Sequence, residues 1–340
     1  MSFFDYDLPE ELIAQEPANP RDLSRLMVLR RDESIIEHTR FFMLPRFLKE
    51  GDLLVFNKSK VIKARLLGVK RGGGAKIELL LIRRLEDDLW EVIAKPAKRL
   101  KVGVEVEFGD KGELSCVVEG VLEGGFRRVR FSYEGNDFMS LLEKLGDVPT
   151  PPYIKKKVRD PNLYQTVYAQ VSGSVAAPTA GFHFTEKLFS ELKARGIRLT
   201  FLVLHVGAAT FLPVRGDIRE HRVPPEYYEV PEDCAREVNS AISDGRRVIA
   251  VGTTTTRVLE GIADADGFIS PGSGWTDLFI LPGYRFKVVK ALITNFHLPR
   301  TTLLALVSAF AGEAFLKRAY DIAVRERYRF YSFGDAMLLL

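Results

Sequence analysis

Residues 248–257 read VIAVGTTTTR, an unbroken apolar run that meets a glycine, four threonines and an arginine. Four consecutive apolar residues between polar flanks fit a strand buried on both faces. The hydroxyl-rich stretch after Gly252 reads as a polar loop whose amides open a helix over 256–263. Two further segments follow the same plan. A strand over 197–206 runs into His205-Val206-Gly207, and one over 288–293 runs into Thr294-Asn295-Phe296-His297-Leu298-Pro299. Helical patterns alternate with them: 185–195, with Thr185 as N-cap and Gly196 just past the end; 232–244, closed by Gly245; and 301–311. This alternation predicts an α/β sheet with parallel strands, whose carboxyl ends line a ligand crevice.

The stretch 61–131 has a different character. Six short β-rich runs (61–69, 75–82, 89–94, 102–108, 114–121 and 126–131) are separated by Gly- and Asp-containing turns, the pattern of a small antiparallel barrel or sandwich. A helix over 137–145 closes the region, and Val148-Pro149-Thr150-Pro151-Pro152 reads as a linker. Upstream, a strand over 26–30, a turn at 31–33, a short helix over 44–49 and a strand over 53–56 join the α/β part. The expected architecture is α/β with a mixed, largely parallel sheet, plus a smaller inserted antiparallel β-barrel. Residues 1–60 form the first part of the α/β domain, 61–150 the barrel and 151–340 the main catalytic part.

The totals agree with two globular domains: 340 residues, 46% apolar and 28% charged. A net charge of +4 from 49 basic and 45 acidic residues permits a basic face without demanding one. Cys116 and Cys234 lie in no CxxC and beside no histidine, so they read as buried thiols and not as a disulfide framework. The acidic N-terminus lacks an apolar signal core, and the longest apolar run, 303–312, is short of the roughly 20 residues that span a bilayer. A cytoplasmic protein without membrane contact is expected, and no coiled-coil heptad or amphipathic stripe asks for a second copy, so a monomer is.

The Thr-rich loop at 252–257 has no lysine after its glycine, so it is not a P-loop, and the chain lacks a GxGxxG between strand and helix. The loop is either a plain N-cap or a binding point for a carboxylate, ribose or phosphate. Of the five histidines, His38 and His221 sit among charges, whereas His183, His205 and His297 sit in strand-end or glycine-bearing loops. Their spacings match no HxH or HExxH zinc pattern, so no metal is expected. The run Lys155-Lys156-Lys157 beside Tyr153 is either a solvated face or a contact for phosphate backbone and a stacked base.

Long motifs in order then point to one family. They are Tyr6-Asp7-Leu8-Pro9 with AQEP, RDLSRL at 21–26, GDLLVFN at 51–57, VIKARL at 61–66, PPYI at 151–154 and YQTVYA at 164–169. They continue with GSVAAPTAGFHFT at 173–185, HVG at 205–207, VGTT at 251–254, TDLFILPGY at 276–284, TNFHLP at 294–299 and YRFYSFGDAML at 328–338. In these residues nearly the whole chain resembles the S-adenosylmethionine:tRNA ribosyltransferase-isomerases of queuosine biosynthesis. The chain departs from the family pattern at Asn57-Lys58-Ser59-Lys60, where Asn-Asp-Thr-Arg is usual, and at Ala208-Ala209, where two glycines are. Val223-Pro224-Pro225-Glu226 replaces Met-His-x-Glu, which removes a histidine and keeps Glu226 in register.

The resemblance implies transfer of the ribosyl part of S-adenosylmethionine to 7-aminomethyl-7-deazaguanine in a tRNA anticodon. Epoxyqueuosine, adenine and methionine are the products, and no cofactor beyond the donor is implied. On that chemistry His183, His205 and His297 are the candidate proton carriers, with Asp277 orienting one of them or a ribose hydroxyl. Thr179, Gly181, Thr253, Thr254, Asn295, Asn57 and Arg65 are candidate substrate contacts, and Arg257 a candidate for the methionine carboxylate. Lys155, Lys156, Lys157 and Tyr153 are the candidate tRNA contacts. Two readings compete: a tRNA-binding protein without catalysis, and a methyltransferase, which would want a Gly-rich first strand–turn–helix.

Overall fold

The computed structural model describes residues 5–122, 126–135, 137–156, 160–207, 214 and 216–340. The strands are β1 (Arg25–Arg30), β2 (Ile35–Arg40), β3 (Leu53–Asn57), β4 (Ser59–Val61), β5 (Arg65–Lys70), β6 (Lys76–Arg84), β7 (Leu89–Lys95), β8 (Glu105–Phe108) and β9 (Leu114–Val121). After β10 (Phe126–Tyr133) come helix α1 (Phe138–Leu145), β11 (Gly146–Asp147), β12 (Val171–Ser174), α2 (Glu186–Ala194) and β13 (Arg198–Leu204). The chain continues with β14 (Glu226–Val230), α3 (Glu232–Ser243), β15 (Val248–Val251), α4 (Thr253–Ile262), β16 (Gly272–Thr276) and β17 (Ala291–Asn295). Last are α5 (Thr302–Ala311), α6 (Glu313–Arg325) and β18 (Ala336–Leu339).

A nine-stranded sheet has the order β16-β14-β13-β3-β15-β17-β18-β1-β2. Its centre, β13-β3-β15-β17, is parallel. β3 and β15 are buried along their full length, as continuous apolar runs in a two-sided sheet require. Antiparallel pairs flank this centre: β13 with β14, β14 with β16, β17 with β18, and β1 with β2. The sheet is therefore mixed, with parallel strands at its centre. One face packs on α3, α4, α5 and α6 through residues such as Val238, Leu259, Leu304 and Tyr320; the other packs on α2 through Leu188 and Leu192.

The second sheet runs β5-β6-β7-β10-β9-β8 and closes through β5 and β8, a six-stranded antiparallel barrel with β11 added beside β5. It has its own core, including Leu79, Val92, Phe108, Val118 and Phe131, and α1 stops one end with Phe138 and Leu142. Asp137 caps α1 by accepting from the amides of Met139 and Ser140.

Three local differences from the sequence reading have physical causes. The helix expected at 44–49 is instead a 3-10 turn over Phe41–Arg46, because Pro45 lies inside it and cannot continue an α-helix. Helix α4 starts at Thr253, not at Thr256, because Gly252 at φ +96° turns the chain directly from β15 into the helix. The buried hydroxyls of Thr255 and Thr256 then bond back to the carbonyls of Val251 and Gly252. Finally, β2, β14, β16, β18 and α6 were not anticipated.

Candidate active site

Two cavities lie near the carboxyl ends of the central strands. The larger, about 940 Å³, opens between the barrel and the nine-stranded sheet. Ile82, Arg83, Trp90 and Phe126 come from the barrel side; His205, Glu226, Tyr227, Arg257, Trp275 and Phe279 face them. The smaller, about 60 Å³, sits where β15 and β17 end, against the start of α4. Val206 and Leu303 line both, so the cavities are neighbours separated by apolar side chains.

His205 follows β13 directly and its amide donates to the carbonyl of Tyr227 on β14 (2.9 Å). Its ring stacks on Tyr227 (centroids 5.8 Å, planes 19° apart). Nδ1 is buried with no hydrogen-bond partner among the described residues, and burial lowers the pKa of the imidazole. The ring fits only because Gly173 has no side chain: a Cβ there would lie 2.7 Å from Cε1 and Nε2, on a backbone with φ +145°. The first glycine of GSVAAPTAGFHFT is thus the floor beneath His205.

Glu226 and Arg257 form a buried ion pair beside this ring. Glu226 Oε1 accepts from the amide of Gly207 (2.8 Å), which ties the loop after His205 to β14. Arg257 also donates from Nε to the carbonyl of Leu278 (2.9 Å). Its guanidinium fork, which the sequence reading reserved for a substrate carboxylate, is therefore engaged by a carboxylate of the chain itself. Glu226 was absent from the candidate set; its only sequence signal was a position kept in register while its neighbours changed.

The small cavity gathers Thr179, Thr253, Thr254, Asn295 and His297. Thr179 Oγ1 donates to Asn295 Oδ1 (3.0 Å), and Asn295 Nδ2 donates to the carbonyl of Tyr331 (3.2 Å). His297 Nε2 meets Thr294 Oγ1 at 2.7 Å, and its backbone is held by the hydroxyls of Tyr6 and Tyr320. Full burial pushes the His297 pKa down to about 3. Tyr153 borders this cavity with its ring stacked on Tyr331 (4.4 Å) and its hydroxyl on Ser332 (2.8 Å).

The other candidates lie elsewhere. His183 lines neither cavity: Nδ1 meets Ser24 Oγ at 2.8 Å and Nε2 meets Asn295 Nδ2 at 3.2 Å. Burial first, then Arg329 and Arg21, lowers its pKa to about 3. Gly181 packs where a Cβ would stand 1.9 Å from the Tyr168 hydroxyl. Asn57 brackets β3 to β13, donating to the Leu204 carbonyl (2.9 Å) and accepting from its amide (3.0 Å). Arg65 pairs with Glu78 on the barrel (2.7 Å), and Asp277 is exposed outside both cavities. Lys155 pairs with Glu10, Lys156 with Glu16 at 2.5 Å, and Lys157 lies outside the described residues. Among the described residues no three His, Cys, Asp or Glu side chains gather as a metal site, and no helix is long and apolar enough to cross a membrane.

A sequence profile of the family described as "Queuosine biosynthesis protein" matches residues 1–339. The chain belongs to the queuosine biosynthesis protein family. Among curated members, the S-adenosylmethionine:tRNA ribosyltransferase-isomerase of Moorella thermoacetica is 56% identical over 338 residues, covering 99% of this chain and 98% of that protein. The enzyme of the same name from Caldanaerobacter subterraneus subsp. tengcongensis is 53% identical over 340 residues, covering 100% and 99%. The crystal structure of S-adenosylmethionine tRNA ribosyltransferase from Thermotoga maritima aligns over 100% of both chains with 41% identity and a TM-score of 0.56.

Proposed function

We infer that the chain catalyses the S-adenosylmethionine:tRNA ribosyl transfer and isomerisation of queuosine biosynthesis, and that the large cavity houses the reaction. One observation carries the placement: the half-buried ring of His205, held neutral by desolvation, lines a cavity whose volume suits a small-molecule ligand. A positive sulfonium acidifies the adjacent ribose carbon. A desolvated imidazole kept neutral near pH 7 is a base suited to take that proton. Loss of the proton gives an ylide, adenine leaves, the aminomethyl group of the 7-deazaguanine attacks, and the epoxide closes as methionine departs.

The remaining residues support this assignment. Trp90, Phe126, Tyr227 and Phe279 offer aromatic faces for adenine and deazaguanine. Glu226 fixes the His205-Val206-Gly207 loop, and Arg257 holds Glu226. His183 acts as a positioning residue through Asn295, and His297 through Thr294. Lys60, exposed at the cavity wall, supplies positive charge for the anticodon backbone. Residues 61–150 serve as the inserted domain that forms the second wall, between 1–60 and 151–340. Both walls come from one chain, so a monomer is sufficient, working in the cytoplasm where tRNA is modified.

The test is to incubate the protein with S-adenosylmethionine and tRNA carrying 7-aminomethyl-7-deazaguanine, and to assay free adenine and methionine. Release that falls by about 100-fold or more in His205→Ala supports the reading, in line with the usual weight of a general base. Tight tRNA binding without adenine release refutes it in favour of a non-catalytic binder.

A further inference from the structure

Among the described residues, several donors at the small cavity have no acceptor. Helix α4 points its first turn at the cavity with no side-chain cap, so its leading amides lack intrahelical acceptors. The hydroxyl of Thr254, a residue 8% exposed, is buried without a hydrogen-bond partner, and so is that of Tyr331, 5% exposed. Both residues line the cavity. Tyr331 is also held at φ +72°, a left-handed backbone unusual for a bulky side chain. Its amide donates to the Phe296 carbonyl (3.0 Å) and its ring stacks on Tyr153, which keep it there. Backbone strain of this kind persists where the surrounding structure holds a side chain in a working position.

Among the described residues no charged side chain lines the cavity, and burial keeps His297 neutral. An anion entering it would meet no carboxylate. It would meet the positive end of α4 and two hydroxyl donors, an arrangement that favours small anions. The volume, about 60 Å³, admits a small polar head group. Because Val206 and Leu303 border both cavities, a chain threaded between them would join the two.

We propose that the small cavity is a carboxylate subsite, in which the α4 amides, Thr254 and Tyr331 bind the methionyl carboxylate of the sulfonium donor. The proposal rests on the ribosyl-transfer reading above and replaces Arg257 in that role. The donor's adenosyl end then lies in the large cavity beside His205, its two methylenes cross the apolar partition, and the α-ammonium beside the carboxylate meets acceptor oxygens of the small cavity such as Asn295 Oδ1.

Tyr331→Phe and Thr254→Val each delete one donor and keep shape. Hydrogen bonds to a charged group are worth enough that each variant should raise the KM for S-adenosylmethionine by about 10- to 100-fold. The saturated kcat and the KM for tRNA should stay near wild type. The deciding arm uses decarboxylated S-adenosylmethionine as donor: wild type and both variants should then share one kcat/KM, because the lost group is already missing. Equal losses with both donors, or no loss with either, overturn the subsite. A rise in the KM for tRNA instead assigns the cavity to an RNA phosphate and overturns it too. Wild-type enzyme that releases no adenine from S-adenosylmethionine would instead refute the underlying reaction, so the two failures are distinguishable.

Discussion

Gly173→Ala is the sharpest probe of His205. The added Cβ would lie 2.7 Å from two ring atoms of His205, where ordinary contact needs 3.4 Å or more, on a backbone at φ +145° that L side chains rarely adopt. The ring must move by roughly 1 Å or the backbone must shift, at a cost of about 1–3 kcal/mol in stability. A displacement of about 1 Å at a reacting group costs on the order of 100-fold in rate. The expected variant is folded, with a lowered Tm, and releases adenine about 100-fold more slowly at saturating donor and tRNA. If Gly173 acts through the ring alone, Gly173→Ala adds no further rate loss in a His205→Ala background. Wild-type turnover by Gly173→Ala, or a full additional loss in that background, would show that the fit between Gly173 and His205 does not serve the chemistry.

Three further outcomes follow from the structure. Arg257→Leu leaves the Glu226 carboxylate buried without its cation and should cost about 3–5 kcal/mol in denaturant unfolding, whereas a paired apolar replacement of both should recover much of it. Burial lowers the pKa of His183 and of His297 to about 3, so the folded protein keeps both rings neutral while the unfolded chain binds their protons below about pH 6.5. Stability should therefore be nearly full at pH 7 and lower by about 1.3 kcal/mol per histidine at pH 5.5; equal unfolding free energies at the two pH values would contradict it. Lys60→Ala should weaken tRNA binding and flatten its salt dependence by roughly 0.7–0.9 in log–log slope, whereas Lys155→Ala, whose ammonium already faces Glu10, should change it less.

The division into barrel and α/β sheet was legible because each imposes its own period. Residues 76–81 alternate buried and partly exposed positions on a one-layer barrel wall, whereas β3 and β15 are buried at every position. The strand ends that carry Thr253, Asn295 and His205 were legible too, since a polar cluster directly after an apolar run needs an explanation other than the core. Partnership was not legible. Nothing in a linear chain says that His183 faces Ser24, 159 residues away, or that Arg257 meets Glu226 and not a ligand. Strands β2 and β16 expose much of their length and carry weak patterns, so pairing with neighbours holds them; β18 is a four-residue apolar run, too short for its period to separate strand from helix. The clustering of Thr254 with Tyr331 has no sequence signal at all, because it depends on a backbone turn at one end and a helix start at the other.

The order of strands has a consequence for how the protein is made. β1 pairs in parallel with β18, in register from Leu26 with Ala336 to Leu29 with Leu339. β18 in turn joins β1 to β17. The β1–β2 hairpin leaves the ribosome early, but the strand that docks it to the sheet emerges roughly 300 residues later, an extreme of long-range pairing. At 5–20 residues per second, a hydrophobic strand with four buried positions waits on the order of a minute with one edge unpaired. The barrel, whose strands are all sequence neighbours or nearly so, has no such delay. Until β18 emerges, the β1 edge stays an unpaired apolar strand open to wrong partners.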